Sequence, residues 1–378
     1  MKFAFIIFKY FPFGGMQRDM LRTANALVAR GHQVEIFALS WQGDLPTAAI
    51  KVNVLPQKAW FNYQRYQKFI DAAFAHIKNA HFDYIFGYNR MLGLDAHFAA
   101  DPCFIERMHQ QRSFLSRITP RYKWFQRCEE AIFSSTSSTQ ILAVSLAEMP
   151  HFAHWYGTQQ ARFHYIPPFL SPERFALSPK NEMRTYLRQQ FNFGAEDFVY
   201  LLTGSGFAMK GLDRAITALA TLPAADLLST RLIAVGQDNP KEFNALAQKL
   251  GVAANVVVSA GRPDIPQLMQ GADVCVHPAY RENTGLVILE GMACGAPMLV
   301  TASCGYAHFV READAGLVCE MPFNQIQFNA LFAEMRRSNK KAEWGQSGLQ
   351  KAQQLMQEND GSAEAEILIR LASTKNKS

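Results

Sequence analysis

The sequence predicts an α/β protein built from two doubly wound, Rossmann-like domains. Three observations predict this fold class: a length of 378 residues, a Gly-Gly turn directly after the first strand pattern, and two separate series of alternating strand and helix patterns. A typical domain size of about 150 residues also favours two domains. Hydrophobic residues form 49% of the chain and charged residues 19%, which excludes a disordered protein and provides apolar surface for two cores.

The first series of patterns forms an N-terminal domain, residues 1–168. Apolar runs predict strands at 2–8, 33–39, 84–88 and 140–144, and helical patterns predict helices at 17–29, 66–78 and 121–133. The opening strand, turn, helix and second strand form a Rossmann-like unit. The Pro167-Pro168 pair is the first strong linker signal and ends this domain.

The second series forms a C-terminal domain, residues 169–355. Strands are predicted at 198–203, 231–235, 256–259, 274–277 and 298–301, separated by helices at 211–219, 240–250, 265–270 and 285–294. Residues 356–378 are expected to form a helix that packs back on the N-terminal domain. Two such domains facing each other would leave a ligand-binding cleft at the carboxyl ends of their strands.

The chain carries no sequence signal for export or for a membrane span. Residues 1–8 are apolar but only of strand length, and no later apolar run reaches 18 residues. The six cysteines form no Cys-x-x-Cys pair and no zinc-like spacing. Reduced thiols in the cytoplasm are therefore expected.

Two carboxylates, Glu282 and Glu290, are the most informative polar residues. Glu282 precedes a predicted helix and Glu290 lies inside it, which places the two carboxylates roughly 10 Å or more apart. At that distance they cannot act as an acid and base pair in one proton transfer. We expect them to contact opposite ends of an elongated ligand, with a phosphate at the helix N-terminus between them. The alternative is a helix cap and a solvated helix residue, but the position beside a strand end favours a ligand.

Several loops at strand ends could complete such a site. Lys210 lies beside the flexible Gly204-Ser205 loop, where its ammonium could neutralise a departing diphosphate; a solvated turn lysine is the alternative. Arg262 follows Gly261 at another strand end, where glycine leaves room for a base or ribose, although a simple helix-entry turn has the same pattern. No Asp-x-Asp motif is present, so no metal bridging a diphosphate is expected.

The Gly14-Gly15 turn would let a ligand approach the backbone of the first domain. The surrounding residues do not form the Gly-x-Gly-x-x-Gly fingerprint, which disfavours a nicotinamide oxidoreductase. Asp19, in the first turn of the next helix, could accept a proton from an acceptor hydroxyl. An acid at this position is equally consistent with compensation of the helix dipole.

A basic, aromatic segment spans residues 103–133, in a chain with a formal charge of +6. Residues 105–127 contain one acidic residue and six basic residues, Arg107, Arg112, Arg117, Arg121, Lys123 and Arg127. Aromatic residues, among them Trp124, lie between the basic ones. Such a segment can lie on an anionic membrane surface, or it can be a surface helix that packs on its own domain. Both interpretations stay open, and binding of nucleic acid is less favoured than either of them.

Several motifs together resemble the retaining GT-B glycosyltransferases of family four, and among them the enzymes that add glucose to a heptose of the lipopolysaccharide core. The motifs are Glu282 to Glu290, Met209-Lys210-Gly211, the run from Lys9 to Asp19, Gly93-Leu94-Asp95, Ala99-Ala100-Asp101, Gly236-Gln237-Asp238, His277-Pro278-Ala279-Tyr280 and Cys304-Gly305-Tyr306-Ala307-His308. The family usually has an arginine where this chain has Met209.

The resemblance implies a UDP-glucose donor, a lipopolysaccharide heptose acceptor, catalysis without a metal, and attachment to the cytoplasmic face of the inner membrane. It implies that Glu290 holds the ribose and Glu282 faces the hexose. The other implied donor contacts are Gly14, Gly15, Arg174, Gly204, Ser205, Lys210, Arg262, Asn283, Thr284, Gly285 and Leu286, and the implied acceptor contacts are Arg18, Asp19 and Asp101. Transfer from UDP-galactose or UDP-N-acetylglucosamine, and binding of a UDP-sugar without turnover, remain alternatives.

Overall fold

The computed structural model describes residues 1–12, 14–111 and 114–376, except for the side chains of Gln111 and Phe114. The chain divides into two compact units. Unit 1 comprises Met1–Pro167 and Asn359–Ser378, and unit 2 comprises Pro168–Glu358. The sequence prediction placed the division one residue later, after residue 168.

Unit 1 contains a parallel sheet of seven strands among its described residues, in the order β3-β2-β1-β4-β5-β6-β7. The strands are β1 Lys2–Tyr10, β2 Gln33–Trp41, β3 Ile50–Val54, β4 Tyr84–Gly87, β5 Ala96–Ala99, β6 Gln140–Ala143 and β7 Phe163–Tyr165. The helices are α1 Gly15–Ala29, α2 Asn62–Ala80, α3 Phe104–Gln111, α4 Phe114–Arg117, α5 Pro120–Phe133 and α6 Met149–Tyr156, with a short 3-10 turn at Gln160–Arg162. Residues 3–8 of β1 are all buried, as expected for a central parallel strand covered on both faces.

Unit 2 contains a parallel sheet of six strands in its described part, in the order β10-β9-β8-β11-β12-β13. The strands are β8 Phe198–Thr203, β9 Thr230–Val235, β10 Val256–Ser259, β11 Val274–His277, β12 Met298–Thr301 and β13 Gly316–Cys319. The helices are α7 Lys180–Phe191, α8 Phe207–Lys210, α9 Leu212–Leu219, α10 Ala224–Leu228, α11 Lys241–Lys249, α12 Ile265–Gly271, α13 Leu286–Ala293, α14 Ala307–Glu312, α15 Gln325–Arg337 and α16 Lys341–Glu358, with a 3-10 turn at Ala253–Asn255.

The last helix, α17 Ala363–Lys375, belongs to unit 1. Its apolar residues Ala365, Leu368 and Ala372 are fully buried in the same core as Phe3 and Phe5 of β1. The helix therefore covers one face of the first sheet.

Each sheet has an apolar core on both faces. Along β8, Val199 and Leu201 belong to one core, whereas Tyr200 and Leu202 belong to the core on the opposite face, following the two-residue period of a strand. The predicted fold class, two doubly wound parallel α/β domains, is confirmed. Among the described helices, none combines the length and the apolar character needed to cross a bilayer.

Candidate functional site

The candidate site lies in unit 2, where the strand order of the sheet reverses. β8 and β11 are paired neighbours, with β9 and β10 on one side and β12 and β13 on the other. Doubly wound sheets bind ligands outside the carboxyl ends of such strands. Lys210 comes after β8 and Glu282 after β11, so the topology brings these two predicted catalytic side chains together.

Two cationic side chains hold Glu282. Lys210 Nζ donates to Glu282 Oε1, and Nε2 of His277, the last residue of β11, lies 2.5 Å from Glu282 Oε2. His277 is buried, whereas the side chains of Lys210 and Glu282 are 19% and 21% exposed. The carboxylate is therefore fixed in orientation but can still be reached by a ligand.

The pKa values of His277 and Glu282 are shifted in opposite directions. Burial alone would lower the pKa of His277, but the adjacent Cys304 sulfur and the Glu282 carboxylate raise it to about 9. Burial alone would raise the pKa of Glu282, but the hydrogen bond and charge of His277, together with Lys210, lower it to about 2. At neutral pH an imidazolium and an ammonium share one carboxylate, so the local charge favours an anionic ligand.

His277, Glu282 and Cys304 also offer ligand atoms that lie within 4.8 Å of one another, and they form a group that could hold a metal ion. Within the described part of the chain, His277 Nδ1 has no hydrogen-bond partner. The carboxylate, however, already bonds to two cations, which an added cation would have to displace. The expectation that no metal is needed stays a prediction.

The loop that carries Glu282 is fixed at both ends. At its start, the guanidinium of buried Arg214 donates to the carbonyls of Pro278 and Ala279 at 3.0 and 3.1 Å and stacks on the Tyr280 ring. Further along, the backbone of Glu282 exchanges hydrogen bonds with the segment after β12: its N–H donates to Ser303, and its carbonyl accepts from Gly305 at 3.0 Å. This pairing gives the Cys304-Gly305 motif a structural role beside the site.

Gly211 determines how closely the Lys210 loop approaches β11. Its φ of +76° lies in the left-handed region, and a Cβ at this position would lie 2.1 Å from the carbonyl oxygen of Pro278. Only glycine allows both the backbone conformation and the contact. This close approach brings Lys210 within reach of Glu282.

Helix α13 begins directly after the Glu282 loop. Gly285, its N-cap, has a φ of +81°, and the first N–H groups of the helix, including that of Leu286, have no carbonyl four residues earlier in a helix. Glu290 lies in the second turn, half-buried, and pairs with Arg174 at 3.6 Å. Arg174, predicted at the diphosphate, therefore lies beside the predicted ribose carboxylate. Between Glu282 and Gly285, Asn283 is buried and Thr284 is half-buried.

Two other predicted donor contacts in unit 2 have defined partners. In the loop after β8, Gly206 N–H donates to Asp238 at 2.6 Å, and Ser205 Oγ accepts from the Gln237 N–H at 3.1 Å, so the Gly204-Ser205 loop is tied to the end of β9. Arg262 donates twice to Asp264, at 2.8 and 2.7 Å, so its charge is already paired. Ligand binding by Arg262 stays a prediction.

The predicted residues of unit 1 lie at the start of α1 and after β5. Gly14 is the N-cap of α1, and Gly15 is exposed with open space around its α-carbon. Arg18 is exposed, whereas Asp19 pairs with Arg22 at 2.6 Å. Phe13, within the first quoted motif, lies outside the described residues. The ion pair between Asp19 and Arg22 was not predicted from the sequence.

A buried carboxylate next to Asp19 was also missed. Glu364, in the first turn of α17, is 1% exposed and accepts a hydrogen bond of 2.7 Å from the Tyr88 hydroxyl at the end of β4. Burial and the charge of Asp19 raise the pKa of Glu364 to about 7. The residues that surround Asp19 therefore come from α1, β4 and the C-terminal helix of the chain.

Asp101, the other predicted acceptor residue, is exposed in a loop with a rigid support. Arg90 donates to the carbonyls of Asp101 and Pro102 at 2.9 and 2.7 Å and pairs with fully buried Glu129 at 2.6 Å. Glu129 also accepts from the Phe104 N–H at the start of α3 at 2.7 Å. These bonds fix the loop and the beginning of the basic segment together.

The basic segment lies partly on the surface of unit 1, and its contact with a membrane stays a prediction. Arg121 and Lys123 are exposed and Arg117 is half-buried, but Arg112 lies outside the described residues. Trp124, predicted at the membrane, is half-buried against its own domain and donates to Gln67 Oε1 at 2.8 Å. The aromatic face of α5 therefore packs inward, because it joins the unit 1 core.

Comparisons with known proteins cover both units. The family model "Glycosyltransferase Family 4" matches residues 13–174, and "Glycosyl transferases group 1" matches residues 183–350. The chain is 41% identical to the lipopolysaccharide glucosyltransferase WaaG of Escherichia coli K12 over 86% of this chain and 87% of that protein.

Solved structures agree with this assignment. A crystal structure of WaaG, described as a glycosyltransferase involved in lipopolysaccharide biosynthesis, matches with a TM-score of 0.89 and 38% identity, covering 97% of this chain and 99% of that one. Anabaena Alr3699/HepE in complex with UDP-glucose matches with a TM-score of 0.74 over 98% and 99% of the two chains; its 19% identity supports the fold alone. The family resemblance predicted from the sequence is confirmed.

Proposed function

The chain belongs to the family-4 glycosyltransferases of the GT-B fold, and from this membership we propose that it transfers an α-glucosyl group from UDP-glucose to a heptose of the lipopolysaccharide core, with retention at the anomeric carbon. The single observation that carries the proposal is the Lys210–Glu282–His277 cluster at the strand-order reversal of unit 2, directly before the N-terminus of α13. The 41% identity to the E. coli glucosyltransferase supports the choice of substrates.

Leaving-group stabilisation is the main chemical task of this cluster. As the bond between the glucose C1 and the diphosphate breaks, charge develops on UDP, and Lys210 together with the N–H groups of Gly285 and Leu286 stabilises it. The diphosphate competes with Glu282 for Lys210. His277 remains on the other carboxylate oxygen and keeps Glu282 ionised, so that Glu282 can orient the hexose hydroxyls.

The remaining roles follow the predicted assignments. Glu290 holds the ribose hydroxyls with Arg174 as its partner, and Gly14, Gly15, Gly204, Ser205, Arg262, Asn283 and Thr284 complete the donor contacts. Arg18, Asp19 and Asp101 bind the acceptor, and Asp19 takes up the proton of the attacking hydroxyl. The donor is bound without a metal, because cationic side chains and the start of α13 occupy the role that a metal bridge would have.

The protein works at the cytoplasmic face of the inner membrane in this proposal. Exposed Arg121 and Lys123 and half-buried Arg117 attract the anionic surface on which the lipid acceptor is found. Attraction of this kind weakens with ionic strength. The membrane contact is therefore peripheral and salt-dependent.

A donor screen with product analysis tests the proposal. Purified protein is incubated with heptose-ended lipopolysaccharide and UDP-glucose, UDP-galactose or UDP-N-acetylglucosamine, and the anomeric configuration of the product is read by NMR. We expect an α-linked glucosyl product and much slower transfer from the other two donors. A preference for another donor, or a β-linked product, would contradict the assignment, and binding of UDP with no product would favour a UDP-sugar-binding protein.

A further inference from the structure

We propose that the Trp60-Phe61 turn of unit 1 is a second membrane-binding element, which inserts into the interfacial layer of an anionic bilayer beside α5. The inference rests on the membrane contact in the proposed function. It differs from that contact because the predicted basic segment does not include the turn. The occupant of this surface is a lipid bilayer, not a protein.

The turn exposes two large aromatic side chains, that of Trp60 almost completely and that of Phe61 by more than half. Trp60 is 98% exposed and Phe61 61% exposed, in the connection between β3 and α2. On the basic segment, Leu115 is 72% and Ile118 53% exposed. Single exposed apolar residues are ordinary, but several on one face of a domain mark an interaction surface.

The turn and the basic segment belong to the same face of unit 1. A groove with a volume of about 410 Å³ is bounded by Trp60 and Tyr63 on one side and by Trp124 of α5 on the other. Trp124 Nε1 donates to Gln67 Oε1 at 2.8 Å, which joins α2 to α5 along this groove. Ile118 lies two residues before α5, so the exposed apolar side chains flank the same pair of helices.

The charges around the groove favour an anionic surface. Residues 55–70 contain three basic residues, Lys58, Arg65 and Lys68, and no acid. On α5, which bounds the groove on the other side, residues 120–128 contain three basic residues, Arg121, Lys123 and Arg127, and no acid. Lys68 Nζ donates to the Lys58 carbonyl at 3.2 Å, which holds an ammonium next to the turn. Aromatic side chains surrounded by Lys and Arg are the composition that binds at the boundary between headgroups and acyl chains.

Insertion and charge attraction respond differently to salt. Attraction between the basic side chains and anionic lipid is screened as ionic strength rises, whereas burial of indole and phenyl rings is not. The turn should therefore contribute a component of vesicle binding that persists in about 1 M salt, where the Debye length is about 3 Å.

The test measures partitioning of the full-length protein onto vesicles of phosphatidylethanolamine and phosphatidylglycerol at low and high salt. The double variant W60S/F61S should lower the partition coefficient about tenfold or more at both salt concentrations, because burial of one such ring is worth about a factor of ten or more. R121Q/K123Q should lower it only at low salt. The matched control I326S removes a side chain that is 79% exposed in unit 2 and should change neither value.

A second readout reports insertion directly. Among the five tryptophans of the chain, the one at position 60 should account for most of the fluorescence quenching by lipids brominated on the acyl chain, so W60F should lose that quenching. Wild-type-like partitioning of W60S/F61S, with R121Q/K123Q still impaired, would overturn the insertion while leaving the basic contact intact.

Two further outcomes separate this inference from the proposed function. If the wild-type protein does not bind the vesicles at all, the membrane contact itself fails, and the insertion fails with it. If W60S/F61S binds vesicles normally but raises the KM for a soluble, heptose-ended acceptor, the turn is a saccharide subsite and the insertion is overturned. If W60S/F61S transfers glucose to the soluble acceptor with the wild-type kcat/KM but binds vesicles more weakly, the result supports the inference.

Discussion

Replacing Gly211 by alanine should separate Lys210 from Glu282 without removing either side chain. The new Cβ would lie 2.1 Å from the Pro278 carbonyl oxygen, so the two segments must move apart by about 1.3 Å to reach the 3.4 Å of an ordinary contact. A displacement of about 1 Å in a catalytic group can cost roughly 100-fold in rate. The φ of +76° adds a backbone cost of roughly 1–2 kcal/mol for a residue with a side chain.

The assay compares G211A with G251A by transfer kinetics and by urea unfolding. Gly251 has a similar φ of +74°, but a Cβ there meets nothing within 4 Å, so G251A carries the backbone cost without the collision. We expect both variants to lose free energy of unfolding, with the greater loss in G211A, and only G211A to lose about 100-fold in kcat/KM. Equal kcat/KM values for the two folded variants would refute the argument that this close approach positions Lys210.

Three further predictions concern individual charges. K210M should lower kcat by about 100- to 1000-fold with little change in the melting temperature, because it removes a charge-stabilising donor at an incompletely buried position; a kcat within threefold of wild type would exclude Lys210 from the chemistry. E282Q should lower the pKa of His277 from about 9 toward or below its ordinary 6.5, as read by NMR titration of the imidazole, since the carboxylate that favours the imidazolium is gone; an unchanged titration would contradict the pairing. The pKa of Glu364 is raised to about 7 in the folded protein from its ordinary 4.5, so between pH 4.5 and pH 7 the folded state binds a proton that the unfolded state has lost. The free energy of unfolding should therefore fall by about 3 kcal/mol as the pH rises from 4.5 to 7. E364Q should abolish that fall, and an unchanged pH dependence in this variant would assign it to other groups.

Much of the fold could be predicted because the central strands are long or strongly apolar. The predicted bounds of β8, β10, β11 and β12 coincide with the observed ones, since each is a run rich in apolar residues that ends at a turn signal. β5 and β13 were not predicted. In β5, Ala96–Ala99 contains two alanines and no β-branched residue, unlike the equally short β10, β11 and β12, which all contain valine. Helix α3 was missed for a different reason: its first N–H groups bond to Glu129, which is distant in sequence.

The site could be predicted only in part. The motif around Glu282 and the positions of Lys210 and Glu290 could be inferred from strand ends and glycine turns. The partners could not, because the conformation of the loop between His277 and Glu282 involves backbone bonds to Ser303 and Gly305, which are distant in sequence. The inward packing of Trp124 depends likewise on Gln67, 57 residues earlier.

Release of UDP from UDP-glucose, measured with and without truncated, heptose-ended lipopolysaccharide, is the decisive measurement for glucosyl transfer by the Lys210–Glu282–His277 cluster. We expect release that requires the acceptor and is lost in K210M and E282Q, both of which should still fold. Release at the same rate without acceptor, or in both variants, would contradict the assignment of this cluster to glucosyl transfer.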